Sequence, residues 1–350
     1  SLLDDMIRPG LTVLIKPDLD CSRPPFDGQT THPELVAVVG RMLRNRGAKV
    51  LVGDSPIVPH GCIESVWKQT GIADVARREK LKLVSFERDG TSPVAVDSRV
   101  YYIARPVIEA DLIINLPRLR PNQWSYFTGA VWNMLGVMPG FQKGLHFKKS
   151  FGSDGIASVV VDVFSIAQPI FTIMDASGFG PLNGNGNRPS LLLASIDSVA
   201  LDAVVADLAG LDPQMHSTTR LASEAGLGIG WMEAIKVVGP DIGPTGRKAL
   251  RSQLESKMAW FSRLLIRSVS PLIEMKPQRN ADQCSACHTC VKNCPTSALR
   301  LGSHGETVYI PQLCICCWRC VASCPSNAIS IRQSPMAQQF LDQGRKSCAV

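Results

Sequence analysis

Apolar residues over the first 245 positions fall into two kinds of pattern. Short continuous runs read as buried strands: LTVLIKP (11–17), KVLVGDSP (49–56), LKLVSF (81–86), ADLIINLP (110–117), IFTIMDA (170–176), SLLLASID (190–197) and AIKVVG (234–239). Between them, apolar residues recur at helical spacing. ELVAVVGRMLRNRG (34–47) is such a stretch, with Pro33 suited to its first turn and Gly47 to its C-terminal cap. Further helices are expected at about 62–79, near 156–167, over SVALDAVVADLAG (198–210) and at 218–226. Strands alternating with helices predict an α/β fold over residues 1–246. The expected body is a mostly parallel sheet with helices on both faces, as one unit or two closely joined ones.

Residues 247–280 are expected to form a helical linker. Its apolar residues Met258, Trp260, Phe261, Leu264, Leu265 and Val269 would pack on the body or act as a lid over a substrate. A length of 350 residues, 45% hydrophobic and 19% charged, is ordinary globular composition for two or three domains. No run of 18 uninterrupted apolar residues exists, and the start, SLLDDMIRPG, has no basic region followed by an apolar stretch. Neither a membrane span nor a signal peptide is expected. The first residue is not Met, which leaves room for residues before Ser1 in the natural chain. The formal charge of +7 is spread along the chain rather than gathered in a run, which argues against nucleic-acid binding.

The cysteines change the picture most. CSACHTCVKNCP (284–295) and CICCWRCVASCP (314–325) each space three cysteines as C-x2-C-x2-C, with a fourth three residues on and proline behind it. Zinc sites usually show two Cys-x2-Cys pairs without that fourth cysteine and proline, and disulfides need no such spacing. Residues 281–332, with strand signals at Ala298–Leu301, Thr307–Ile310 and Ala328–Ile331, resemble a bacterial two-cluster ferredoxin, a small α+β domain. In that family the cysteine before proline caps the other [4Fe-4S] cluster. The resemblance therefore implies two clusters. The first takes Cys284, Cys287, Cys290 and Cys324, and the second Cys314, Cys317, Cys320 and Cys294. Residues 333–350 form a tail. Cys316, Cys21, Cys62 and Cys348 are expected to be small buried or incidental thiols. Ligating thiols need a reducing compartment, with the cytoplasm as the default.

In open parallel sheets, ligands bind beyond the carboxyl ends of the strands. Lys16, Asp18, Asp54, Ser55, Asp175 and Asp197 fall there. Asp197 is expected to cap the helix starting at Ser198. Lys16 and Asp54 are either cleft residues or a structural ion pair. The stretch 128–149 gathers Gly129, Gly136 and Gly140 with Asn133, Lys143 and His146, as a ligand loop or a surface loop. GFGPLNGNGN (178–187) matches neither a dinucleotide fingerprint nor a phosphate loop, and no flavin, nicotinamide or ATP motif is found.

LIKPDL, THPELV with VLVGDSP, DLIINLP, TGAVWNMLGVMPG with His146, ASIDSVALDAVVADLAGLDP and EAGLGIG together resemble the family named domain of unknown function 362. Its members often carry a C-terminal ferredoxin module. The resemblance implies an iron-sulfur protein of α/β architecture without an assigned substrate. The family usually has a Lys-x-Lys-x-His stretch where this chain has PRLRPNQ, so Arg118, Arg120 and Asn122 stand in. It also usually has Lys-Asn where this chain has Trp132-Asn133, which removes an amine and adds a flat apolar face. A remoter similarity is to the lactate racemase family, whose nickel cofactor sits on a lysine of that loop. The matching position here is Trp132, so the nickel cofactor is not carried over.

The expected substrate-binding residues are Asp54, Arg118, Arg120, Asn122, Thr128, Gly129, Trp132 and Asn133. His146 and Lys16 are expected to supply protons or charge stabilisation to a substrate held on the face of Trp132. The expected function is a cytoplasmic reductase that receives electrons from a low-potential donor protein or reductase and passes them to a small molecule. The alternative is a carrier or assembly factor whose body docks a partner protein. Oligomeric state is left open.

Overall fold

The computed structural model describes residues 6–19, 23–56, 63–122, 125–150, 153–177, 191–254 and 273–338. Its centre is a six-stranded sheet built from β1 (Thr12–Pro17), β2 (Lys49–Val52), β3 (Lys82–Leu83), β6 (Leu112–Leu116), β9 (Phe171–Asp175) and β10 (Leu192–Ser195). Their order is β10-β9-β6-β1-β2-β3, parallel except for the antiparallel edge pair β9/β10. The chain leaves β1 for β2 and β3 on one side, then returns to lay β6 against β1 on the other. The topology therefore reverses between β1 and β6. That is where a crevice opens in sheets of this kind.

Central strands of a parallel sheet are covered on both faces, so their side chains divide between two cores. Val13 and Ile15 of β1, with Ile114 and Leu116 of β6, meet Val36, Val39 and Leu43 of the helix Pro33–Asn45. Leu14 and Ile113 point the other way, to the helix Ser153–Ile166 and the 131–138 segment. The continuous apolar runs are explained by this double burial. Leu250 and Leu254 of the helix Gly243–Leu254 pack beside the helix Ser198–Leu208 in a third cluster.

Several expectations are corrected. The helix expected at 62–79 is two helices, Ile63–Gln69 and Ile72–Arg78. Gly71, at φ +75°, breaks them apart. LKLVSF pairs only at Lys82–Leu83, because Ser85 N turns to bond the Asp89 carboxylate at 3.0 Å. AIKVVG is not a strand: a short turn over Met232–Ala234 is followed by exposed Val237 and Val238. β-branched residues need a partner strand and a face to bury, and this stretch has neither. Two hairpins were not expected, β4 (Thr91–Val96) with β5 (Arg99–Ala104) and β7 (Arg120–Asn122) with β8 (Tyr126–Thr128). The end of the expected linker 247–280 is a strand, β11 (Met275–Arg279). Met258, Trp260, Phe261, Leu264, Leu265, Val269, Cys21, Cys62, Cys348 and residues 178–187 lie outside the described residues.

The C-terminal module pairs β11 with β14 (Ile329–Gln333), and β12 (Leu299–Leu301) with β13 (Thr307–Tyr309), both antiparallel. Short helices Thr289–Lys292 and Arg319–Ala322 carry the third cysteine of each motif, Cys290 and Cys320.

Candidate functional site

The two cysteine loops repeat in backbone as well as sequence. Left-handed residues recur thirty positions apart: Ala286 and Cys316 at φ +54°, His288 at +55° and Trp318 at +58°, Ser297 at +53° and Asn327 at +50°. Ala286, His288, Cys316 and Trp318 curl the two loops tightly between their cysteines. Cys316 takes the curling position of Ala286 rather than a ligand position. Its buried thiol donates to Met275 O at 3.1 Å, in keeping with the expected bland role.

The thiols of the two loops lie near enough to raise one another. Burial raises the Cys290 thiol, and the nearby Cys324 and Cys284 raise it further. Burial pushes Cys317 up to about 12, with Cys294 and Cys314 adding to the rise. Cys294, Cys314, Cys317 and Cys320 line one pocket with Tyr309 and Trp318. Trp318 Nε1 and Arg319 Nε are buried there, and His288 Nδ1 is buried in the first loop, without hydrogen-bond partners among the described residues. Unpaired buried donors are costly, and the sulfurs of an iron-sulfur cluster would accept from them. The donor set therefore fits. Among the described residues no three His, Cys, Asp or Glu side chains converge on a single-ion site. A four-iron cubane takes its thiolates at four separate corners.

The two loops differ in their surroundings. Cys287 is exposed, whereas Cys317 is buried. The Cys314–Cys320 loop rests on the body at the turn before the helix Gln142–Lys149. Phe141 N donates to Cys316 O at 2.9 Å, and a Cβ on Gly140 would lie 2.5 Å from that carbonyl and 2.8 Å from the carbonyl carbon of Cys317. Only glycine allows this approach, and its φ of +68° suits it as well. Phe141 joins Ile273, Met275, Cys316 and Trp318 in an apolar cluster around the contact.

On the other side of this turn lie the sheet's carboxyl ends. Gly140 N donates to Ser55 Oγ at 3.0 Å, and Ser55 adjoins Asp54. Lys16, fully buried, holds Asp54 Oδ1 at 2.7 Å and donates to Asn133 Oδ1 and Pro17 O, each at 3.1 Å. Asn133 donates to Asn115 Oδ1 at 2.8 Å, and Asn115, the register partner of Lys16 on β6, donates to Ala130 O at 2.9 Å. This network spans the reversal between β1 and β6. A Cβ on Gly136 would fall 2.1 Å from Asp54 Oδ1, so glycine lets the 134–137 turn close over the pair.

A second row of charge runs alongside. Arg118 pairs with Asp175 at 2.7 Å and also donates to Gly28 O and Ser177 O. Arg120 pairs with Asp18 at 2.9 Å, and Asn122 donates to Thr128 Oγ1 at 3.3 Å across the hairpin. Burial raises Asp175, but Arg118 and the N–H groups of Ser177 and His32 outweigh it and hold the carboxyl below its usual range.

His146 and Trp132 sit elsewhere. Burial, with Lys149 and Arg99 nearby, lowers His146 to about 4, so it is a neutral imidazole at pH 7. It stacks on Tyr101 at 4.6 Å and shares no hydrogen-bond or ring partner with Lys16 among the described residues. Trp132 is only 8% exposed and tilts against Phe147 within the core. The structure thus gathers Lys16, Asp54 and Asn133, with Thr128 and Gly129 leading into the short helix that carries Asn133. Asp197 caps its helix as expected, accepting from Val199 N and Ala200 N.

A family model described as domain of unknown function (DUF362) matches residues 13–207, more than half of the chain. The chain belongs to the DUF362 family. A second model, a 4Fe-4S dicluster domain, matches residues 283–329, so this DUF362 protein is an iron-sulfur protein with a domain of the electron-transfer type. A thylakoid-associated protein of Synechocystis is 30% identical over 231 residues, 64% of this chain and 71% of that one. Two solved structures show fainter likeness. The lactate racemase apoprotein from Thermoanaerobacterium thermosaccharolyticum has a TM-score of 0.39 and 14% identity over 54% of this chain and 47% of that one. A Thermotoga maritima protein has a TM-score of 0.36 and 16% identity over 64% and 56%. The chain spans about half the length of these two proteins. Among the described residues no helix is long and apolar enough to cross a membrane.

One polar residue of the DUF362 region escapes sequence reading. Asp202, fully buried in the helix Ser198–Leu208, accepts from Ala130 N at 2.6 Å and Val131 N at 3.0 Å. It caps the turn that presents Asn133, and Gly129 makes room for it, since a Cβ there would lie 2.3 Å from Oδ1.

Proposed function

We propose that the protein is an iron-sulfur oxidoreductase in which two [4Fe-4S] clusters carry single low-potential electrons from a donor protein or reductase to a small molecule at the strand-end site. The observation that supports this is the Gly140 turn, which contacts the Cys314–Cys320 loop on one side and Ser55, beside the Lys16–Asp54 pair, on the other. Cys284, Cys287, Cys290 and Cys324 would hold the cluster nearer the surface, where Cys287 is exposed, and it would supply the entry for electrons. Cys314, Cys317, Cys320 and Cys294 would hold the one beside the body, which would supply the exit. One-electron reduction leaves negative charge on a substrate. The Lys16 ammonium, oriented by Asp54 and Asn133, stabilises that charge in a buried setting. His146, neutral and stacked on Tyr101, has no part in this step. Arg118, Arg120 and Asn122 brace the hairpin that leads to Thr128 and Gly129. A reducing compartment such as the cytoplasm suits the clusters.

A second reading, a carrier or assembly factor that docks a partner protein, is favoured by the closure of the site. Lys16 is 0% and Asp54 3% exposed. The test uses holoprotein prepared anaerobically, fully reduced, and mixed with pooled small metabolites. Reoxidation of the clusters with a new product in the mass spectrum is expected, and Lys16→Met should abolish it while leaving both cluster signals intact. Reoxidation by protein partners alone, or undiminished in Lys16→Met, would overturn the reductase in favour of the carrier.

A further inference from the structure

A second buried network lies between the Gly140 turn and the Lys16–Asp54 pair. Ser55 Oγ, which receives the Gly140 N–H, donates in turn to Glu87 Oε1 at 2.5 Å. Lys143 Nζ donates to Ser55 O. Glu87 is 8% exposed, and its second oxygen, Oε2, is buried with no hydrogen-bond partner among the described residues. An ionised carboxylate with one oxygen unsolvated and unbonded is costly, and a proton on that oxygen removes the cost.

Opposing influences meet at Glu87, and burial is the largest. Burial raises it above the usual carboxylate range and Asp54 adds to the rise, while the Ser55 hydrogen bond and Lys143 oppose it. Lys16 neutralises Asp54 behind it. Arg88 and Asp89 follow in the same turn, and Arg105 and Arg319 approach its end at Gly90. Ser55 and the main chain of Gly140 link Glu87 to the Cys316–Cys317 backbone, and Ser55 and Glu87 are both buried. An added negative charge beyond that buried layer is felt strongly.

We propose that Glu87 is a proton-accepting group coupled to the cluster held by Cys314, Cys317, Cys320 and Cys294, taking up one proton for each electron held there. The electron comes from the one-electron donor and the proton from solvent water. One O–H bond forms at Glu87 as the cluster gains one electron, and both are given up when the electron moves on to the acceptor. This rests on the reading that electrons leave through that cluster. Glu87 thereby keeps the charge of the buried joint constant and supplies protons near Lys16, which the neutral His146 does not do.

The test is a redox titration of the full chain carrying Cys287→Ser, so that the inner cluster alone is followed by electron paramagnetic resonance. Its midpoint potential should fall as pH rises, and Glu87→Gln should make it independent of pH. In parallel, the reduced-minus-oxidised infrared spectrum of the unaltered chain should gain a protonated carboxyl band that moves in heavy water. A potential independent of pH in the Glu87-containing chain, no carboxyl band, or a slope kept in Glu87→Gln would each overturn the proposal. Should Glu87→Gln lose its cluster, Ser55→Ala decides, because removing the hydrogen bond must shift the carboxyl band and an unshifted band refutes Glu87. No substrate is needed. A positive result with no substrate found would leave this coupling standing while the reductase falls.

Discussion

Asp202 shows how one buried carboxyl can set the pH response of the body. Burial pushes it from the ordinary 3.8 to about 7, against the pull of the Ala130 and Val131 N–H groups. Because the folded state holds this proton more tightly than the unfolded chain, its favourable contribution is complete below about pH 3.8 and is lost as pH rises through about 7. Asp202→Asn keeps the shape without the charge. Denaturant unfolding at a series of pH values should therefore show the variant gaining on the unaltered chain across that window, and parallel curves would refute the assignment. This residue is hidden in the sequence for a physical reason. SVALDAVVADLAG reads as an amphipathic helix, and the partners of Asp202 lie 71 and 72 positions away. Lys16 and Asp54 are legible by contrast, because each ends a recognisable strand. Their choice between cleft and ion pair needed the 2.7 Å contact.

At the scale of elements, the strands with continuous apolar runs and the capped helices are legible because local signal and burial agree. The β4/β5 and β7/β8 hairpins are not, since they lie off the main sheet and only their partners reveal them. AIKVVG misleads in the opposite sense, having strand composition and no strand to join. Asp197 joins two elements at once: Oδ1 caps the helix Ser198–Leu208, and Oδ2 accepts from Ile229 N at 2.8 Å. Asp197→Ala should cost roughly 0.5–2 kcal/mol from the cap alone, measured by chemical denaturation. Asp197→Asn should recover most of it.

For the whole molecule, the body's three core clusters contain no cysteine, whereas the module's apolar cluster contains Cys316 and is flanked by Cys314. Metal should therefore matter to one part only. Anaerobic preparation should give about eight iron atoms per chain, two four-iron clusters, and Cys287→Ser should halve that number. Chelation should abolish the cluster absorption and loosen residues 273–338 while the far-ultraviolet signal of the α/β body persists. Loss of both in one cooperative step would show that the body depends on the module.

The joint between the module and the body is closed at its centre by main-chain atoms. Phe141 N meets Cys316 O, and Gly140 offers bare backbone to Cys317. Side-chain identity at position 316 hardly enters that bond. A module of quite different surface could thus be grafted onto the same turn, provided its second loop keeps the left-handed curl, and on the function proposed above the body would change its source of electrons without rebuilding its own site.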